Sequence, residues 1–132
     1  MTEEEVQAFL RKARKFLEAS EALHRGGFHE DAASRAYYAM FTAAKSMLLT
    51  SGEKPKKHGE VQGAFGRLFA KRDPAYQKYH RYLIDGSTQR NVADYDAEPM
   101  ASVGEQEARR VLSQAKEFVG MAEEFVKGRG RR

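Results

Sequence analysis

The sequence contains no cysteine. That excludes disulfides, thiolate metal ligands and a cysteine nucleophile. It also lacks any apolar run near the roughly 20 residues that cross a bilayer, so no membrane association is expected. The opening Thr2-Glu3-Glu4-Glu5 is acidic, whereas a secretory signal begins basic and continues apolar. A cytoplasmic location is therefore the expectation. No segment alternates like a strand, and there is no internal repeat or low-complexity tract. The glycines follow no strand, which rules out a glycine-rich phosphate loop.

What remains is a chain of 132 residues, 41% of them apolar, enough for one modest core and not for two. We read residues 1–132 as one domain, with its core over 3–126. Net charge is +4 and the isoelectric point is about 9.4. This balance permits nucleic-acid binding without demanding it. Part of the excess lies in the tail 127–132, Lys-Gly-Arg-Gly-Arg-Arg, which is expected to fray. The other basic residues are interleaved with acids along helical segments.

Helical periodicity covers almost the whole sequence. Val6, Phe9, Leu10, Ala13, Phe16 and Leu17 recur at spacings of three and four, and Gly26-Gly27 closes that helix. Thr2 and Glu5 fit a capping box at its start. A second helix is expected from His29 to Leu49, with small alanines that admit a close neighbour. A short helix over Gly59 to Ala70 follows. Asp73-Pro74 then reads as a cap with proline in the first turn, opening a helix to about Val92 that Gly86 and Ser87 could bend. Ser102 and Glu105 form another capping box before a last helix ending near Gly128. Four long helices and one short one, joined by short loops, imply an all-α, antiparallel up-and-down bundle.

Candidate chemistry gathers in two places. Tyr76, Tyr79, Leu83, Gly86 and Arg90 share one helical face, so Arg90 continues an inward line. A guanidinium is costly to bury without a partner. Spacing leaves two readings open. Either Arg90 pairs with Asp94 four residues on, with Tyr95 packing, or Arg90 lines a cleft and meets an anion there. Ser34, Arg35 and Tyr38 edge the second helix: packing and a snorkelling arginine on one reading, a polar wall of the same cleft on the other. Lys54, Lys56, Lys57 and His58 make a basic loop suited to phosphate or to plain solvent exposure. His24, His29 and His80 have no second ligand at a recognised metal spacing, so no metal and no cofactor is expected.

Ser34-Arg-Ala-Tyr-Tyr-Ala-Met-Phe41, then Lys57-His58-Gly59, then Arg90-Asn-Val-Ala-Asp-Tyr95-Asp96, resemble the HEPN family, the higher eukaryotes and prokaryotes nucleotide-binding domain. The resemblance spans about residues 3 to 126. It implies a helical bundle that forms a homodimer, often beside a minimal nucleotidyltransferase, as toxin and antitoxin or as substrate-binding subunit and enzyme. Many members are metal-independent ribonucleases, with an arginine followed after four to six residues by histidine. Here Tyr95 follows Arg90 after four residues, and Asp96 to Ala101 contains no histidine. A phenol is a poor general base near neutral pH. The resemblance thus implies a non-catalytic nucleotide- or RNA-binding partner, with Arg90, Asp94, Tyr95, Arg35, Tyr38, Lys57 and His58 as candidate contacts. The alternative is an endoribonuclease toxin using Arg90, Asp94 and Tyr95 without the motif histidine, with His58 standing in if its loop reaches the cleft. A third reading is a structural module that binds protein through an exposed face.

Overall fold

The computed structural model describes residues 3–54, 57–95 and 103–129; the side chains of His58, Tyr95 and Arg129 lie outside that description. Among the described residues five α-helices follow one another: α1 Glu3–Arg25, α2 His29–Thr50, α3 His58–Phe65, α4 Gln77–Tyr95 and α5 Glu105–Arg129. A π-helical turn, Gly66–Ala70, extends α3, and a 3-10 turn, Pro74–Tyr76, leads into α4. No strand occurs among the described residues.

Contacts along the helices give their directions. Ser20 meets Ala32, and Phe9 lies by Lys45, so α1 and α2 run antiparallel. Arg90 meets Tyr37 and Asp94 meets Ser34, which sets α4 antiparallel to α2. Asp85 with Arg110, and Lys78 with Glu117, do the same for α4 and α5. Arg14 with Glu123, and Glu21 with Lys116, close the bundle between α1 and α5. The fold is the antiparallel up-and-down bundle that the periodicity implies.

α2 is the central helix and packs on α1, α4 and α5. Its sequence explains this position. Ala32, Ala33, Ala36, Ala39, Ala43 and Ala44 are all fully buried, and side chains this small let three neighbours approach at once. Tyr37, Met40, Met47 and Leu48 fill the spaces between the helices. Three buried hydroxyls of this interior each find a backbone carbonyl. Ser20 Oγ donates to Ala32 O at 2.7 Å, Thr42 Oγ1 to Tyr38 O at 2.7 Å, and Ser46 Oγ to Ala43 O at 2.6 Å.

Gly86 has a packing role. α4 continues through Gly86 and Ser87. A Cβ at Gly86 would stand 2.6 Å from Met40 Cε and 3.2 Å from Tyr37 Cδ1. The missing side chain is what lets α4 lie close on α2.

The boundaries differ from the sequence reading where backbone geometry intervenes. α2 runs one residue further than expected, to Thr50, and α5 reaches Arg129. The short third helix is α-helical only to Phe65. Beyond it the ladder widens around Gly66, where a Cβ would stand 2.9 Å from the His80 ring. Asp73 does cap, accepting from Ala75 N at 2.9 Å, but it opens the 3-10 turn, and α4 proper starts at Gln77. At the other turn, Gly27 has φ of 85° and Phe28 N donates to Leu23 O at 2.9 Å, closing α1. Thr2 and Ser102, the expected box residues, lie outside the described residues.

Candidate functional site

Antiparallel packing of α2 on α4 brings the two candidate stretches together. Asp31, Ser34, Arg35 and Tyr38 recur at helical spacing and make one stripe along α2, exposed at Asp31 and Arg35. Opposite them, the last turns of α4 carry Arg90 and Asp94. Ser34 Oγ donates to Asp94 Oδ2 at 3.3 Å. A cleft of about 450 Å³ opens here, lined by Leu23, Asp31, Ser34, Arg35, Tyr38 and Asp94. Arg35 and Asp94 are exposed, Tyr38 is half-buried and Ser34 is buried.

Arg90 occupies a different position. It is only 8% exposed and lies behind Tyr38, outside the residues that line the cleft. Its guanidinium carbon is 5.5 Å from the centre of the Tyr37 ring and 5.8 Å from that of Tyr38. Two ring faces compensate part of the lost hydration of the cation. The cause is the stripe Leu83, Gly86, Arg90, which faces α2 and is drawn inward by the contact at Gly86. Arg35 is therefore the cation at the mouth, with its guanidinium carbon 5.9 Å from both the Phe16 and Tyr38 rings.

Tyr37 is the floor beneath Arg90. It is fully buried. Burial pushes its phenol pKa up, against hydrogen bonds with Gln62 and Ser87 and the nearby Arg90 charge, which pull it down. The phenol therefore stays protonated near neutral pH and ties α3 and α4 to α2 beneath the site.

The other candidates fall as follows. Lys57 is exposed at the start of α3, and no residue lining the cleft comes from that loop. The side chains of His58 and Tyr95 lie outside the described residues, as does Lys56. Asp31 and Leu23 line the cleft although the sequence reading did not single them out. Asp31 had a legible signal, because it precedes Ser34 and Arg35 by three and four residues on the same stripe. Leu23 had none, since it reaches the cleft only through the α1–α2 packing.

A larger groove, about 710 Å³, runs between α1 and α5. Arg14 and Glu123, both on its lining, bind each other through two hydrogen bonds. Those two charges are engaged with each other, while Arg11, Lys15 and Lys127 also line the groove. Among the described residues no group of three or more His, Cys, Asp or Glu could hold a metal. None of their helices is long and apolar enough to cross a membrane.

Comparison with known proteins agrees with this architecture. The chain is 34% identical over 122 residues to "Putative toxin MJ0142" of Methanocaldococcus jannaschii, covering 92% of this chain and 82% of that protein. It is also 34% identical over 124 residues to "Putative toxin MJ0605" of the same organism, covering 94% and 90%. A Gloeobacter violaceus protein, "UPF0332 protein glr0978", is 30% identical over 122 residues, covering 92% and 96%. The HEPN domain model matches residues 6–125. With all five helices within or overlapping that span, the chain belongs to the HEPN domain family.

Proposed function

We propose that the cleft between α1, α2 and α4 binds a phosphate-bearing nucleotide or RNA, and that the chain acts as the binding partner of a minimal nucleotidyltransferase. The observation that carries this reading is the convergence of Arg35, Tyr38, Ser34 and Asp94 around one cavity, with Arg90 fixed behind it. Arg35 at the mouth offers a planar fork to phosphate. Tyr38 offers a ring for a base, and such stacking is worth about 1–3 kcal/mol. Ser34 and Asp94 can share hydrogen bonds with ribose hydroxyls. Arg90 steadies the Tyr38 ring and adds positive potential from below. Tyr95, next to Asp94 in the chain, is a further stacking group or an acceptor of a transferred nucleotidyl group.

In this proposal two copies form a homodimer that sets their clefts side by side. The experiment is titration of AMP and a short single-stranded RNA into the purified protein, with mass determined by analytical ultracentrifugation. Arg35→Ala should weaken binding while the protein stays folded and keeps its mass. Unchanged affinity would reject the cleft.

Two relatives carry the name "Putative toxin", and the second reading we set beside the first is a toxin that cleaves RNA without a metal ion. Cleavage in the presence of a chelator, abolished by Arg90→Ala in a folded variant, would establish it. Intact RNA with the wild-type protein would leave the binding role.

A further inference from the structure

At the turn between α1 and α2 the fold joins two histidines that sequence spacing leaves apart. His24 Nδ1 and His29 Nδ1 are 3.3 Å apart, with ring centres 5.2 Å apart and planes at 59°. Both rings are half-buried. The turn holding them is closely tied. Gly26 N donates to Ala22 O at 3.0 Å, Gly27 N to His24 O at 3.1 Å, and Phe28 N to Leu23 O at 2.9 Å. Gly27, at φ of 85°, supplies the left-handed step that brings the start of α2 back onto the end of α1.

We propose that His24 and His29 form a two-point clamp for a divalent transition metal of the nickel, copper or zinc type. Imidazole nitrogens bind zinc at about 2.0–2.1 Å, and two such ligands on a tetrahedral ion stand about 3.3 Å apart. The observed separation matches that bite. The turn that carries both rings is fixed by backbone hydrogen bonds, which limits the ordering needed on binding. Neutral imidazoles suit these borderline ions, and copper and nickel lead the affinity order. Water completes the coordination, because no third protein ligand joins the pair among the described residues.

The proton balance is simple. In the hydrogen-bonded pair one ring carries its proton on Nδ1 and the other offers a lone pair. Ligation through both Nδ1 atoms moves that proton to Nε2 of the same ring. No oxidant, reductant or further reactant takes part. His29 also borders a depression of about 400 Å³ with Phe28, Asp31 and Val103, and Asp31 belongs to the ligand cleft as well. Leu23, which lines the cleft, precedes His24. A metal here would brace the turn that delivers Leu23 and Asp31 to the cleft. The inference stands apart from the nucleotide reading and does not need it.

The test uses metal-stripped full-length protein in a non-coordinating buffer, with zinc or nickel chloride added. Imidazole NMR signals of the four histidines are followed. The expected result is that His24 and His29 respond together at the lowest metal concentrations while His80 does not. Nickel should also raise the melting temperature. His29→Gln, which keeps a hydrogen-bonding side chain without an imidazole, should weaken nickel binding about tenfold or more. Wild-type nickel affinity in His24→Gln or in His29→Gln would overturn the clamp, as would a response at His58 alone or at no histidine. Should either variant fail to fold, the wild-type spectra alone decide the matter.

Discussion

Replacing Gly86 by alanine sets two effects against each other. Alanine gains about 0.8–1 kcal/mol over glycine in a helix interior. Its Cβ, however, would stand 2.6 Å from Met40 Cε and 3.2 Å from Tyr37 Cδ1. Carbon atoms prefer about 3.5–4.0 Å, so Met40 must give by about 1 Å and the Tyr37 ring by a few tenths. Met40 ends in a flexible methyl, which lowers the cost. It is also fully buried among packed neighbours, which raises it. Overpacking of this kind costs about 1–3 kcal/mol. The net expectation is a loss of about 1 kcal/mol, read by urea unfolding followed by circular dichroism. For a domain of this size that corresponds to a drop of about 3–5 °C in Tm. The background of Met40→Leu, which shortens the side chain, should relieve the clash and let the helix gain dominate. A double-mutant cycle would then show coupling of about 0.5 kcal/mol or more. Stabilisation by Gly86→Ala in the wild-type background would refute the claim that this glycine exists for close approach.

Three further outcomes follow from the geometry. The Tyr37 phenol is raised in the folded protein, so it holds its proton after unfolded chains have begun to lose theirs; stability should be full below pH 10 and fall as pH rises through 10 and beyond. Tyr37→Phe should flatten that slope in alkaline denaturation curves, and an unchanged slope would assign it to another group. Ser20→Ala removes a fully buried hydroxyl that donates to Ala32 O and should cost about 1 kcal/mol in urea unfolding. Asp73→Ala removes the cap on Ala75 N and should cost about 0.5–2 kcal/mol, with faster amide exchange confined to the Pro74–Tyr76 turn and the start of α4.

The helices were legible because their signals are local. An apolar stripe at spacings of three and four, ended by Gly26-Gly27 or opened by Asp73-Pro74, fixes a helix without reference to the rest of the chain. Where the signal depends on a neighbour, the sequence is less explicit. The widened ladder at Gly66–Ala70 exists because the His80 ring of α4 occupies the space beside Gly66. Nothing in the residues around Gly66 announces a ring fourteen positions away. Gly86 illustrates the same limit. On its own helix a glycine suggests a bend, and only the approach of Met40 and Tyr37 turns it into a contact point.

The candidate site divides along the same line. Periodicity gives the direction in which a side chain leaves its helix, and so it placed Ser34, Arg35 and Tyr38 on one edge and Arg90 on an inward line. It does not give depth, which depends on how closely the partner helix packs. Because α2 is lined with alanines and α4 has Gly86, the two axes draw together and Arg90 lies beneath Tyr38, while Arg35 on the outer edge remains exposed. This separates the two arginines physically. Arg35→Ala removes a surface cation and should leave stability nearly unchanged. Arg90→Ala removes a guanidinium packed on two rings, so part of any functional loss would come from Tyr37 and Tyr38 shifting. Arg90→Lys sharpens the distinction, because it keeps the charge and loses the planar face that lies against the rings. If charge alone matters to the ligand, lysine restores affinity; if Arg90 acts by holding Tyr38, lysine fails and the Tyr38 ring signals in NMR move with it.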